Sequence, residues 1–292
     1  MKSASQNNFF STKTTLNIRG RLLDLSVPRV MGVLNVTPDS FYDGGRYQTE
    51  AEILNQVEKM LEDGAAFVDV GASSSRPGAA EIPVKEELDR VIGAVASISK
   101  KFPEALISID TFRSKVAYEA VQAGASIIND ISGGELDPMM FETVARLKVP
   151  YVVMHMKGNP QNMTSLSTYE NLVKELIFFF QKKIYTLGQM GVKDVIVDPG
   201  FGFAKTIEQN FSLLNHLEHL KILEAPILVG LSRKSMIWKT LATNAEGALN
   251  GTTALNSVAL TKGANILRVH DVKEAVETIK LVLSLKHSEQ QV

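Results

Sequence analysis

The sequence predicts a single (β/α)8 barrel, a TIM barrel, carrying a short β-hairpin at its N-terminal end. Three observations predict it. Short apolar runs of strand character alternate with longer helical stretches, and the alternation repeats eight times between residues 30 and 285. Four helical stretches stop on a glycine just before the next strand, at Gly64, Gly124, Gly191 and Gly263, as a left-handed C-cap requires. Nearly every strand runs into a polar or charged residue, which in a barrel lines one mouth.

The expected strands are 30–36, 67–71, 106–110, 126–131, 151–155, 195–199, 227–231 and 266–269. Several are almost continuous in Val, Ile and Leu, the pattern of parallel strands covered on both faces. The expected helices are 49–63, 84–101, 113–122, 138–147, 169–190, 207–220, 249–262 and 273–285. Eight such units favour a closed barrel over an open doubly wound sheet. Ahead of them, 16–18 and 21–25 flank Gly20 as a hairpin suited to covering the barrel bottom. The domain plan is a flexible segment 1–15, a barrel domain 16–287 (hairpin 16–27, barrel 30–285) and a flexible tail 288–292.

Composition narrows the function classes. The 292 residues carry 31 Lys plus Arg against 32 Asp plus Glu, a net charge of −1, so no basic excess points to nucleic acid or an anionic membrane. The absence of cysteine rules out disulfides, thiolate metal sites and a cysteine nucleophile. No apolar run approaches the roughly 18 residues of a membrane helix. Met1–Thr15 is polar and lacks the apolar core of a signal peptide. A cytoplasmic location is expected. The loops 36–47 and 73–83 are long, polar and rich in Gly and Pro, on the side of a barrel where loops carry function.

The strand ends hold Asn35, Asp69, Asp110, Asn129 with Asp130, His155, Asp198, then Ser232, Arg233 and Lys234, and last Arg268 and His270. A lone Asp there is often only a helix cap, the role expected of Asp271 and, as Ser, of Ser235. A converging ring is costly to desolvate unless it binds something. Asp110, Asn129 and Asp198 suit the N–H edge of a planar heterocycle, and Lys234 suits a ring carbonyl or nitrogen. Arg268 and His270 begin the eighth helix, where barrels often hold phosphate.

Seven motifs then appear in order: "GVLNVTPDSFYDGG", "SSRPGA", "SIDTF", "IIND", "VDPGFGFAKTIEQN", "GLSRKS" and "LRVHDV". Together, from residue 30 to about 285, they resemble the dihydropteroate synthase family. The resemblance implies a transferase of folate biosynthesis. It joins p-aminobenzoate to (7,8-dihydropterin-6-yl)methyl diphosphate with Mg²⁺ on the diphosphate, as a homodimer and a sulfonamide target. By position, Asn35 resembles the metal contact. Asp110, Asn129, Asp198 and Lys234 resemble the pterin contacts, with Asp110, Asp198 and Lys234 as the catalytic set. Ser75, Arg268 and His270 resemble the diphosphate contacts, and Met154 and Phe203 pack against pterin or p-aminobenzoate. The chain departs from the family at Ala204, where Gly is common, at Ala72 and Ser73, which replace "GE", and at Ser75, where some members carry Thr. Asp69 and His155 have no assigned contact and are expected to support the mouth.

The chemistry implied is a dissociative, SN1-like substitution. A pterin-binding methyltransferase, a non-catalytic pterin-binding relative and a Schiff-base aldolase using Lys234 are the competing readings. Arg233 beside Lys234 is expected to keep that amine protonated and poorly nucleophilic.

Overall fold

In the structure, a computed structural model, residues 14–36, 49–72 and 82–289 are described. The hairpin is β1 (Thr15–Ile18) paired antiparallel with β2 (Arg21–Asp24). Eight parallel strands follow: β3 (Arg29–Asn35), β4 (Phe67–Gly71), β5 (Leu106–Asp110), β6 (Ile127–Asp130), β7 (Tyr151–Met154), β8 (Val195–Asp198), β9 (Leu228–Val229) and β10 (Ile266–Val269). They pair in the order β8-β7-β6-β5-β4-β3-β10-β9, and a parallel bridge from Val197 to Ile227 joins the two ends. The barrel expected from the sequence is therefore present.

The helices are α1 (Glu50–Glu62), α2 (Val84–Lys101), α3 (Ser114–Ala123), α4 (Met140–Leu147), α5 (Leu172–Gln189), α6 (Ile207–Asn215), α7 (Ser235–Thr240), α8 (Leu249–Thr261) and α9 (Val272–Glu289). The four glycine joins all have positive φ, and Gly124 at φ 122 is the C-cap of α3. The expected helix 207–220 breaks after Asn215 into a 3-10 turn at Leu217–Leu223. Helix α7 is an addition, anchored by buried Met236 and Ile237; Lys234 takes its cap position and Ser235 begins the helix. Asp271 grips Arg233 through two bonds of 2.7 and 2.9 Å. The tail expected from 288 overlaps α9, whose last turn is tied down where Lys286 Nζ donates to the Leu260 carbonyl at 3.1 Å. Among the described residues no helix is long and apolar enough to cross a membrane.

Side chains on a strand alternate between barrel interior and helix layer. Val68, Ile107, Ile109, Ile128, Val153, Val197 and Leu267 pack in the main core with the helices. The alternate residues Met31, Phe67, Ile127, Val152, Ile196, Leu228 and Ile266 form a second core with Leu16, Ile18 and Leu25 of the hairpin. The hairpin thus plugs the bottom of the barrel. Two residues further along the strands the inward positions become Val33, Asp69, Ser108, Asn129, Met154, Asp198, Gly230 and Arg268. Five of these eight are polar or charged, so within one pleat the interior changes from wholly apolar to largely polar.

Candidate active site

Arg268 is the centre of the polar layer. Its Nε donates to Asp69 Oδ2 at 2.7 Å and its Nη2 to Asp110 Oδ2 at 2.6 Å. Asn129 Nδ2 donates to the same Asp69 oxygen at 3.0 Å. Asp69 is fully buried, and its Oδ1 has no hydrogen-bond partner among the described residues. It holds both Arg268 and Asn129, so the support expected of it is an ion pair at the heart of the mouth. Arg268, expected on the diphosphate side, is bound to Asp110, expected on the ring side. The two halves of the site share one guanidinium. Burial pushes Asp110 up to about 7 against the pull of Arg268.

Asp198 ends β8 and accepts the Gly200 N–H at 2.8 Å. Burial raises its carboxyl, and Lys234 is the strongest influence lowering it. Lys234 Nζ donates to the Phe201 carbonyl and lies 4.8 Å over the Phe203 ring. Burial brings that amine down to about 8, with Asp198 pulling the other way. Arg233 does not keep it charged, as the sequence reading had it. Its guanidinium is committed to Asp271 and to the carbonyls of Ala245 and Glu246, and a neighbouring cation would in any case disfavour the charged amine.

Beside these groups lies a small apolar cluster of Ile131, Met154, Met156, Met163, Phe203 and Ala204, with Phe112 against it. Met154 and Phe203, named together from the sequence, are brought together. His270 is exposed, and its Nδ1 is 3.0 Å from Ser232 Oγ. Asn35 closes β3 in register with Gly71 and is half-buried. Among the described residues no three His, Asp or Glu side chains converge as a metal cage. Asn35 brings one amide oxygen, a hard ligand, to the end of β3. Ser75 lies outside the described residues, as do the loops 36–47 and 73–83 apart from residues 36, 82 and 83.

Sequence reasoning missed Lys205. Its Nζ sits 3.1 Å from His155 Nδ1 and 3.0 Å from the carbonyls of Gly200 and Phe203. The available signal was a lysine directly before the Thr206 cap of α6, where a cation opposes the helix dipole unless it is engaged elsewhere. The Arg113–Glu87 pair was also missed. It is buried beside the start of α3, where Thr111 donates to Glu87 at 2.6 Å.

The family model for pterin binding enzymes matches residues 31–270. The dihydropteroate synthase of Escherichia coli K12 is 43% identical over 266 residues, covering 90% of this chain and 94% of its own. This chain belongs to the dihydropteroate synthase family. It is a transferase by that membership. The Haemophilus influenzae synthase is 41% identical, covering 91% of this chain and 97% of its own. A Yersinia pestis dihydropteroate synthase solved with a sulfonamide drug superposes with a TM-score of 0.89 at 41% identity, over 94% of this chain and 99% of that one. The Xanthomonas albilineans synthase in complex with 7,8-dihydropteroate gives 0.83 at 36% identity, over 93% and 98% of the two chains.

Proposed function

We propose that this chain condenses p-aminobenzoate with (7,8-dihydropterin-6-yl)methyl diphosphate, giving 7,8-dihydropteroate and diphosphate. The observation that carries the reading is the polar layer Asp110–Asn129–Asp198 with Lys234 and Arg268, set beside the Met154–Phe203 cluster. Acceptors face the N–H edge of the pterin, Lys234 donates to its carbonyl or nitrogen, and the apolar cluster takes an aromatic face. The dihydropteroate held by the Xanthomonas relative supports the same assignment.

The C–O bond to diphosphate breaks with its electron pair leaving on the diphosphate oxygen. A C–N bond forms from the amine lone pair of p-aminobenzoate, and the amine then loses a proton. Cationic character on the methylene is shared with the pterin ring, and Asp110 and Asp198 stabilise it there, so the substitution is SN1-like. Arg268 and His270, with Ser75, bind the leaving diphosphate. No strong base is needed; positioning the amine supplies much of the rate. Mg²⁺ fits the donor set, because it commonly takes one or two protein oxygens and fills its sphere from phosphates and water, and Asn35 offers one such oxygen. When bound it supplies charge neutralisation for the diphosphate.

The test is incubation of the protein with the pterin diphosphate and p-aminobenzoate, with and without Mg²⁺. Dihydropteroate formed in equal amount to diphosphate, only when p-aminobenzoate is present and faster with Mg²⁺, is expected. Diphosphate release without dihydropteroate would overturn the reading, and equal rates without Mg²⁺ would remove the metal from it.

A further inference from the structure

The loop between β8 and α6 holds one backbone bond of its own, a turn in which the Phe203 N–H donates to the Gly200 carbonyl at 3.1 Å. Gly200, Gly202 and Ala204 have φ of 70, 81 and 47, so the backbone is left-handed at every second residue. Such a chain can join neither ladder nor helix, and side chains engage several of its other polar groups. Asn210 Oδ1 accepts the Gly202 N–H at 2.7 Å. Lys234 donates to the Phe201 carbonyl, and the Tyr169 hydroxyl donates to the Ala204 carbonyl at 2.8 Å. Lys205 donates to the carbonyls of both Gly200 and Phe203 at 3.0 Å.

Lys205 also reaches out of the loop. Its Nζ is 3.1 Å from His155 Nδ1 and 3.5 Å from the His155 carbonyl, at the end of β7. Gly200 lies so close to that carbonyl that a Cβ there would collide with it. The loop therefore rests on β7, and one amine spans the contact. All four partners of that amine are acceptors. Burial keeps the His155 imidazole neutral down to about 2, which leaves Nδ1 free to accept when the proton sits on Nε2. Burial brings the Lys205 amine down to about 7, with Asp198 pulling the other way; as an ammonium it brings three donors to this set, and as a neutral amine two.

We propose that Lys205 is a positioning residue, whose amine brackets the β8–α6 loop onto the end of β7 and thereby sets Asp198, Phe203 and the Phe201 carbonyl under Lys234. Lys234 and Lys205 thus divide the loop between them. Under the function proposed above, on which this inference rests for its kinetic consequence, Lys234 gives its donor to the pterin. Lys205 faces protein acceptors and stays in place.

The test compares wild type with Lys205→Met, which keeps an apolar stem and removes the donors, and with Lys205→Arg, which keeps a cation. In Lys205→Met the amides of residues 200–205 are expected to exchange at least tenfold faster by hydrogen-exchange mass spectrometry, with the barrel strands unchanged. The KM for the pterin diphosphate is expected to rise at least tenfold while kcat falls less than threefold. Lys205→Arg is expected to hold KM within threefold of wild type. Unchanged loop exchange in Lys205→Met would overturn the proposal. So would a loss of kcat in step with a lower melting temperature, or an arginine variant as impaired as the methionine one. The exchange measurement needs no turnover, so it judges Lys205 even if wild type makes no dihydropteroate, a result that would strike the proposed function alone.

Discussion

Asp110 is raised to about 7 chiefly by burial, while Arg268 works against that shift and Asp69, Glu87 and Asp130 add to it. The sign of the consequence follows from the ligand. The ionised carboxylate accepts two N–H donors, whereas the protonated form sets an O–H against them. Affinity for the pterin therefore rises as pH climbs through about 7. Lys234, brought down to about 8 by burial, loses its donor charge above that value. A bell-shaped pH profile of kcat/KM for the pterin diphosphate is expected, with limbs near those two values. Asp110→Asn should lose the acid limb; an unchanged limb would assign it to another group. Asp198 differs in having a structural bond to Gly200 as well as a ligand role. For Asp198→Asn, loss of a charge-assisted bond of about 1.5–3 kcal/mol should weaken pterin binding roughly 10- to 100-fold. Calorimetry showing wild-type affinity would withdraw Asp198 from the pterin contact.

At the scale of the element, the short loop after β8 carries more of the site than any strand. The departure from the family at Ala204 has a local cost, because its φ of 47 is a conformation a Cβ disfavours by about 1–2 kcal/mol. The Tyr169 bond to its carbonyl holds it there. In Ala204→Gly that strain is relieved, while the unfolded chain gains about 0.4–1 kcal/mol of entropic advantage. The two effects oppose each other, and a net stabilisation of about 1 kcal/mol or less is expected from denaturant unfolding. A clear destabilisation would mean that the methyl group, packed in the Met154–Phe203 cluster, outweighs the strain. Where elements departed from the sequence reading, the cause was tertiary contact. Helix α7 exists because Met236 and Ile237 find burial, although its six residues are too few to form a helix alone. The strand expected at 227–231 shrinks to Leu228–Val229, and the chain turns just after it, where the Lys234 N–H donates to the Leu231 carbonyl at 3.1 Å and Arg233 takes φ 55.

Across the whole molecule, stability and chemistry are placed at opposite ends of one barrel. The hairpin seals the bottom with Leu16, Ile18 and Leu25, and the polar layer begins one pleat above. Leu16 is fully buried, so Leu16→Ala should destabilise by about 2–5 kcal/mol. Its KM values should change less than twofold, since the plug packs on the interior layer below the polar one. A large rise in KM at a temperature where the variant stays folded would show that the two ends are coupled.

The fold class, the glycine joins and the hairpin plug were legible in the sequence. Periodicity and motif text are local, and parallel strands carry every C-terminal end to one mouth regardless of side-chain detail. Only the tertiary structure decided what the charged groups do to one another. Arg268 meets Asp69 and Asp110 across 199 and 158 residues of chain, and Lys205 meets His155 across 50. Such contacts depend on which strand neighbours which and on how deeply each group is buried, and burial sets both the strength of an ion pair and the proton it keeps.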